Sequence, residues 1–159
     1  TVFITTTTHM FIEEDTLLTD DADRILRRLQ ETGCVMAGIP EGEKIRALSK
    51  ETFETVSACA DMTLVEADGS KHLPLKYPNE KEPVIPDNTD RIIVVWGPHG
   101  LGQSVESACH RPELVMDCLG IREDTLMTRE HVRKLLQEGY LIPLKSRYPN
   151  AEITVYPSL

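Results

Sequence analysis

No CxxC pair joins the four cysteines, Cys34, Cys59, Cys109 and Cys118, and the composition is not that of a small disulfide scaffold. The thiols are therefore read as reduced, in a cytoplasmic protein. No apolar run approaches the ~20 residues needed to span a bilayer, and no secretory hydrophobic segment opens the chain. Positive charge is scarce: 17 Lys and Arg stand against 26 Asp and Glu, for a net charge of -9 and a pI near 5.0. Nucleic-acid and anionic-membrane surfaces need clustered Lys and Arg, so neither is expected as a partner, while a local anion site stays open. Internal repeats and low-complexity tracts are also missing. The chain starts at Thr1, directly on a strand-like segment, and is expected to lack something upstream.

What is present reads as alternating strands and helices. With 159 residues, the chain is long enough to bury roughly 68–70% of its unfolded surface as one domain. Val2 to Thr5 is strand-like. Asp20 to Thr32 carries Ala22, Ile25, Leu26 and Leu29 at helical spacing, with acids in the first turn and Gly33 after the last. Cys34 to Ile39 returns to an apolar run. Ser49 is an N-cap for a second helix with Phe53, Val56 and Ala60 inward.

Met62 to Val65 is a continuous β-rich run of the kind that suits a strand covered on both faces. Residues 71 to 90 carry four of the ten prolines, Pro74, Pro78, Pro83 and Pro86, and read as an extended loop. Arg91 to Gly97 is the clearest buried strand. Pro112 and Gly120 bracket a short helix. Thr128 caps another, with Val132, Leu135 and Leu136 inward and Gly139 closing it. Brief strands near Leu141-Ile142 and Ile153 to Val155 finish the chain. This alternation predicts an α/β fold, a mainly parallel sheet with helices on both faces, in a single domain over residues 1–159.

Ligands of open α/β sheets bind beyond the carboxyl ends of the strands. Two polar tips occupy such places: Thr5-Thr6-Thr7-Thr8-His9-Met10 after Val2-Phe3-Ile4, and Glu66-Ala67-Asp68-Gly69-Ser70 after Met62 to Val65. The four threonines could simply continue a strand, since threonine suits a pleated surface. The sharper reading is a polar rim that holds metal, water or phosphate. An apolar strand running into an acid and a glycine resembles a Walker-B arrangement, with a tip carboxylate on hydrated Mg²⁺ and a glycine that lets the backbone approach a γ-phosphate; the plain alternative is a solvated acidic turn. Lys71 follows that turn and strengthens the anion reading. Proline stiffens the segments Leu73 to Pro78 and Glu82 to Pro86, which lowers the entropy cost of holding a binding surface. His9, His72, His99 and His110 have no metal-ligand spacing, and adjacent Cys109-His110 side chains diverge. No Ser-His-Asp elbow is present.

Taken together, TTTTHMF, LVEADGSKHLPLKYP, NEKEPVIP and CHRPEL resemble one family, the YqeC-type accessory proteins linked to selenium-dependent molybdenum hydroxylases. The resemblance runs from Val2 to about Leu136. That family is similar to P-loop NTPases, with a strand, a glycine-rich loop and a helix ahead of the threonine run. The resemblance implies nucleotide-dependent help in maturing a selenium- and molybdopterin-containing enzyme, with Mg²⁺ and ATP or GTP as cofactors. A hydroxylase or a molybdenum-cofactor maturation protein is the implied partner.

Residue by residue, it implies that Thr5, Thr6, Thr7 and Thr8 lie beside the terminal phosphate. Glu66 and Asp68 become the acids that position metal or attacking water, Thr6, Glu66 and Asp68 the metal-side groups, and Gly69, Ser70 and Lys71 the residues after the switch. His110-Arg111-Pro112-Glu113 matches a further family motif without an assigned role. Two departures stand out. GxxxxGK[ST] is absent from these residues. The place of an Asn-Lys-x-Asp base-reading motif reads Ile142-Pro143-Leu144-Lys145-Ser146.

Three functions compete: a P-loop-type NTPase or switch, a non-hydrolysing cofactor- or partner-binding module using the proline-rich loop, and a nucleotidyl or phosphoryl transferase using the same acids. The first requires the two polar tips to lie on neighbouring parallel strands and to open on one cleft. The chain is also expected to be interrupted near Leu144-Lys145, because about eight residues between two strand-like segments are too few for a parallel crossover. An unbroken chain there favours the binding module.

Overall fold

The computed structural model describes residues 1–158. They form two compact units, Thr1–Gly69 and a second from Ser70 onward, where the sequence reads as a single domain.

The first unit contains β1 (Val2–Thr6), β2 (His9–Phe11), β3 (Leu17–Leu18), α1 (Ala22–Thr32), β4 (Cys34–Glu41), β5 (Lys44–Arg46), α2 (Lys50–Ser57) and β6 (Met62–Glu66). Its sheet runs β2-β5-β4-β1-β6, with β3 also on β4. β1 is parallel to both β4 and β6, whereas β5 is antiparallel to β4 and β2. The sheet is thus mixed, not mainly parallel. The reason is local: Gly42, at φ +62, lets the chain double back between β4 and β5, so a hairpin forms ahead of the expected Ser49-capped helix.

Helix α1 begins where Asp21 accepts a hydrogen bond from the Arg24 amide and ends at left-handed Gly33, whose N–H bonds Leu29 O. Ser49 caps α2 in the same way, through the Thr52 amide. The buried faces of the two helices, Ile25 and Leu29 of α1 and Val56 of α2, join Phe3, Val35 and Ala37 in one core. Phe3 and Val35 are register partners, so both helices cover the same sheet face. The opposite face of β6 keeps Met62 and Leu64 55% and 47% exposed. The expected cover on both faces is therefore not found here.

The second unit contains β7 (Leu75–Lys76), β8 (Arg91–Trp96), α3 (Val105–Ala108), β9 (Cys109–His110), α4 (Pro112–Leu119), α5 (Arg129–Leu136), α6 (Ile142–Arg147) and β10 (Glu152–Pro157). β8 pairs in parallel with β10, and β7 with β9. Leu75, Val105, Cys109, Val115, Met127 and Leu135 belong to its core. Ile92 and Val94 are buried, but Ile93 and Val95 are 55% and 60% exposed, so β8 is buried on one face only.

Thr128 caps α5 through a capping box with His131. Gly139 does not end the helix. The backbone widens into one π-helical turn over Gln137–Leu141, where Ile142 N–H reaches Gln137 O, and then continues as α6. Such a turn absorbs the proline at position 143, which cannot donate to the residue four before it. Gly139 serves close packing instead: a Cβ there would stand 3.1 Å from both Tyr77 and Pro78. Leu141–Leu144 is consequently helical, and α6 passes through Leu144 and Lys145 without a break. The expected interruption rested on a strand that does not form; the crossover between β8 and β10 instead includes α3 to α6.

Gly38 marks the tightest approach inside the mixed sheet, since an added Cβ would lie 2.7 Å from Ile45 Cβ and 3.0 Å from Arg46 O. Gly38→Ala is expected to destabilise the first unit by about 1–3 kcal/mol through forced displacement of β5. Chemical denaturation followed by circular dichroism measures this, and an unchanged midpoint would contradict the β4–β5 packing.

Candidate functional site

The geometry at the end of β1 follows from strand alternation. Phe3 and Thr5 share the helix-covered face, so Thr6 turns to the other one. Thr5 is fully buried and its hydroxyl donates to Ala37 O at 2.8 Å. It is a sheet-binding residue and does not join the other threonines.

Thr6 stands directly opposite Glu66 on parallel β6. The Thr6 hydroxyl donates toward Glu66 Oε2 at 2.7 Å and accepts the Thr8 amide at 2.9 Å. The Thr8 hydroxyl donates to the same carboxylate oxygen at 2.5 Å. Thr7 N–H continues the ladder to Glu66 O at 3.0 Å. Two hydroxyls thus converge on one oxygen of a strand-tip carboxylate, and hydrogen bonds to an ionised acceptor are shorter and stronger than neutral ones.

The other oxygen, Oε1, faces Gly69: a Cβ at that position would stand 3.6 Å from it. Asp68 is half-buried in the irregular segment between Glu66 and Gly69. His9 leaves the cluster for β2 and its Nε2 lies 2.7 Å from Glu41 Oε2. Ser70 and Lys71 fall in the second unit.

The donors at the β1–β6 tip are hydroxyl and carboxylate oxygens, a hard set that suits Mg²⁺. Among the described residues no group of three His, Cys, Asp or Glu gathers around one point, so a cation here would take most of its coordination from elsewhere, as Mg²⁺ does with substrate phosphates and water.

The second unit holds a cluster that sequence reasoning left unassembled. The β7–β9 pairing turns Leu75 and Cys109 into the core and sets their successors Lys76 and His110 side by side on the other face. Lys76 is 5% exposed, and its ammonium lies 2.8 Å from Glu82 Oε2. Arg111 grips the same carboxylate bidentately, Nη1 on Oε2 and Nη2 on Oε1 at 3.0 Å. Burial by itself would raise the Glu82 carboxyl, but the hydrogen bonds from Arg111 and Lys76 outweigh it and hold it down at about 2.

Burial likewise lowers the His110 imidazole, helped by the charges of Arg111, Lys76 and Lys71 and opposed by Glu82. The Cys109 thiol is pushed up to about 11 by burial, which removes it from nucleophilic chemistry near neutral pH. Sequence reasoning placed Lys76 and Glu82 only in two proline-stiffened loop segments, because their 6-residue separation on an irregular segment carries no periodic signal.

An ordinary glutamate titrates near 4.5, whereas Glu82 titrates near 2 in the fold. Its contribution is therefore complete above the first value and is lost as pH falls toward the second. Glu82→Gln is expected to cost about 3–5 kcal/mol at neutral pH, because it leaves buried Lys76 without its carboxylate. It should also flatten the acid limb of stability in that window, which urea unfolding across a pH series reads directly.

Residues 1–113 match a family model described as YqeC protein. A relative from Escherichia coli strain K12, named uncharacterized protein YqeC, is 33% identical over 138 residues, a match that takes in 79% of this chain and 53% of the relative. The chain therefore spans about half the length of the curated relative it matches. No solved structure matches it. Thr6, Thr8, Glu66 and the Cys109–Glu113 stretch all lie within the matched region, and on this evidence the chain belongs to the YqeC protein family.

Proposed function

We propose that the β1–β6 tip is the phosphate and Mg²⁺ side of a nucleotide site, in a P-loop-type NTPase or switch that assists maturation of a selenium-dependent molybdenum hydroxylase. The observation that carries the site is the convergence of the Thr6 and Thr8 hydroxyls on Glu66 Oε2 at the carboxyl ends of neighbouring parallel strands. Ligand sites of α/β sheets concentrate at such ends. The maturation role rests on the resemblance of TTTTHMF, LVEADGSK and CHRPEL to the hydroxylase accessory proteins.

Bound Mg²⁺ would neutralise phosphate charge. Thr6 and Thr8 orient the Glu66 carboxylate, leaving Oε1 on the Gly69 side to meet the cation or its water. Gly69 keeps that approach clear of a side chain. Asp68 supplies a second carboxylate for the metal or the attacking water. Thr7 contributes through its backbone, which prolongs the ladder and holds the tip flat.

One observation favours the second reading, a non-hydrolysing cofactor- or partner-binding module. Ile142 to Lys145, where an Asn-Lys-x-Asp base reader would stand, form part of α6.

Thermal melting of the full-length protein with ATP, GTP or CTP, with and without Mg²⁺, tests the site. A nucleotide at 100 times its dissociation constant should stabilise by about 2.7 kcal/mol and raise Tm only when Mg²⁺ is present. Glu66→Ala and Asp68→Ala should remove that shift while leaving the ligand-free melt within a few degrees. Absence of any nucleotide shift would overturn the proposal. Binding without phosphate release would select the non-hydrolysing module.

A further inference from the structure

The second unit contains a cavity of about 460 Å³ that the nucleotide reading does not use. It lies at the carboxyl end of β8, between the loop that leaves the strand and α5. Small-ligand sites of parallel sheets gather at such ends, and their volumes run from roughly 300 to 1,000 Å³. This cavity meets both conditions. Strand alternation puts Trp96, the last residue of β8, on the same face as buried Ile92 and Val94, so its half-buried indole carries the apolar side of the strand on into the cavity wall.

The opening is built into the fold. Gly97 N–H donates to Pro74 O at 2.8 Å, and a Cβ on Gly97 would stand 2.5 Å from Pro74 Cβ, so the loop is seated hard against the segment leading into β7. Gly100 packs on the same side, where a Cβ would lie 3.0 Å from Pro74 Cγ and 3.1 Å from Leu75 Cδ1. Ser158 N–H on Trp96 O at 2.8 Å and the Gln103 side-chain amide on His99 O at 2.8 Å hold the strand end and the turn after it. Facing them, α5 presents Arg129, Val132, Arg133 and Leu136, one stripe at helical spacing. The loop cannot close on that stripe without giving up its seat on Pro74.

The charged groups of this lining are both cations, in a chain of net charge -9. Arg133 is committed, since its Nε and Nη2 hold Glu130, and it lends the cavity only its aliphatic stem. Arg129 makes no hydrogen bond or ion pair among the described residues. It stands at the first position of α5, directly after the Thr128 cap, where the helix dipole disfavours a cation. An anion on its guanidinium offsets that cost. We propose that this cavity binds a small planar aromatic anion, with its ring against Trp96 and the aliphatic wall of Leu101, Val132 and Leu136, and its anionic group on Arg129. A flat ring suits a wall formed by an indole, because offset stacking adds to area burial, and an uncommitted guanidinium takes a carboxylate through two parallel hydrogen bonds. The cavity lies wholly within the second unit and uses neither Mg²⁺ nor the threonine tip.

The probe is 2-naphthoate, compared with 2-naphthylmethanol, which keeps the ring without the charge, and cyclohexanecarboxylate, which keeps the charge without the flat ring. Each is titrated into the full-length protein. Calorimetry gives the affinity, and NMR follows the indole N–H resonance of Trp96, identified by its loss in Trp96→Phe. The naphthoate should shift that resonance and bind about tenfold tighter than either comparison compound. Arg129→Gln, at an exposed position, should weaken the naphthoate about tenfold, leave the naphthyl alcohol unchanged and melt like the parent protein. None of the three compounds carries phosphate, so a failure of nucleotide binding at the strand tip leaves this result untouched. A Trp96 resonance that 2-naphthoate does not move would overturn the proposal, as would equal binding of either comparison compound or an unchanged affinity in Arg129→Gln. A resonance that shifts with protein concentration alone would assign the cavity to a second copy of the chain and overturn it too.

Discussion

The parallel register between β1 and its neighbours is the constraint on which the first unit depends. Phe3 stands opposite Val35 and Thr63, and Thr6 opposite Glu66. Because strand side chains alternate with a period of two, the register that buries Phe3 against α1 and α2 also sends Thr6 to the face where Glu66 waits. A slip of one residue would place Ile4 under the helices and turn Thr6 away. Core packing and site geometry in this unit are therefore a single choice. The ring of Phe3 lies 6.4 Å from that of Phe53, which ties α2 to the same decision.

The two clusters use charge in opposite ways. At the β1–β6 tip one carboxylate accepts from neutral hydroxyls, and its hard oxygens suit a cation. In the second unit one carboxylate, Glu82, accepts from the charged donors Lys76 and Arg111, which hold its carboxyl down at about 2. Neither reflects the overall balance of -9. Net charge governs long-range attraction and solubility, while a few side chains within hydrogen-bond reach decide what a site holds. The acidic composition made nucleic acid an unattractive partner, yet it said nothing of the way Lys76 and Arg111 gather on Glu82.

Helix placement was legible where capping chemistry is local. Gly33, Ser49, Pro112, Gly120 and Thr128 act within four residues of themselves, and each stands where sequence reasoning put it, while α1 starts after its cap Asp21 rather than at Asp20. Gly139 was misread because a glycine chosen for close packing looks the same as one chosen for a left-handed cap. Leu141 to Leu144 was misread as strand because four residues cannot separate the two periods, and the π turn that carries the helix past Pro143 has no simple sequence signal. The continuous run at Met62 to Val65 suggested cover on both faces, and Arg91 to Gly97 a buried strand, but which faces are covered depends on where the helices land.

By itself the sequence determined the short-range features: strands and helices in alternation, their caps, the polar tips after β1 and β6, and four thiols that remain unpaired. Only tertiary structure decided that the main sheet is mixed and that the chain gathers into two units. It also decided that Thr5 turns inward while Thr6 and Thr8 meet Glu66, and that Lys76, Glu82 and Arg111 come together. The physical reason is range. Propensity, capping and turn chemistry act across a few neighbouring residues, whereas pairing Thr6 with Glu66 or Glu82 with Arg111 requires closing loops of 60 and 29 residues, which is settled by register and core packing rather than by any adjacent pair of side chains.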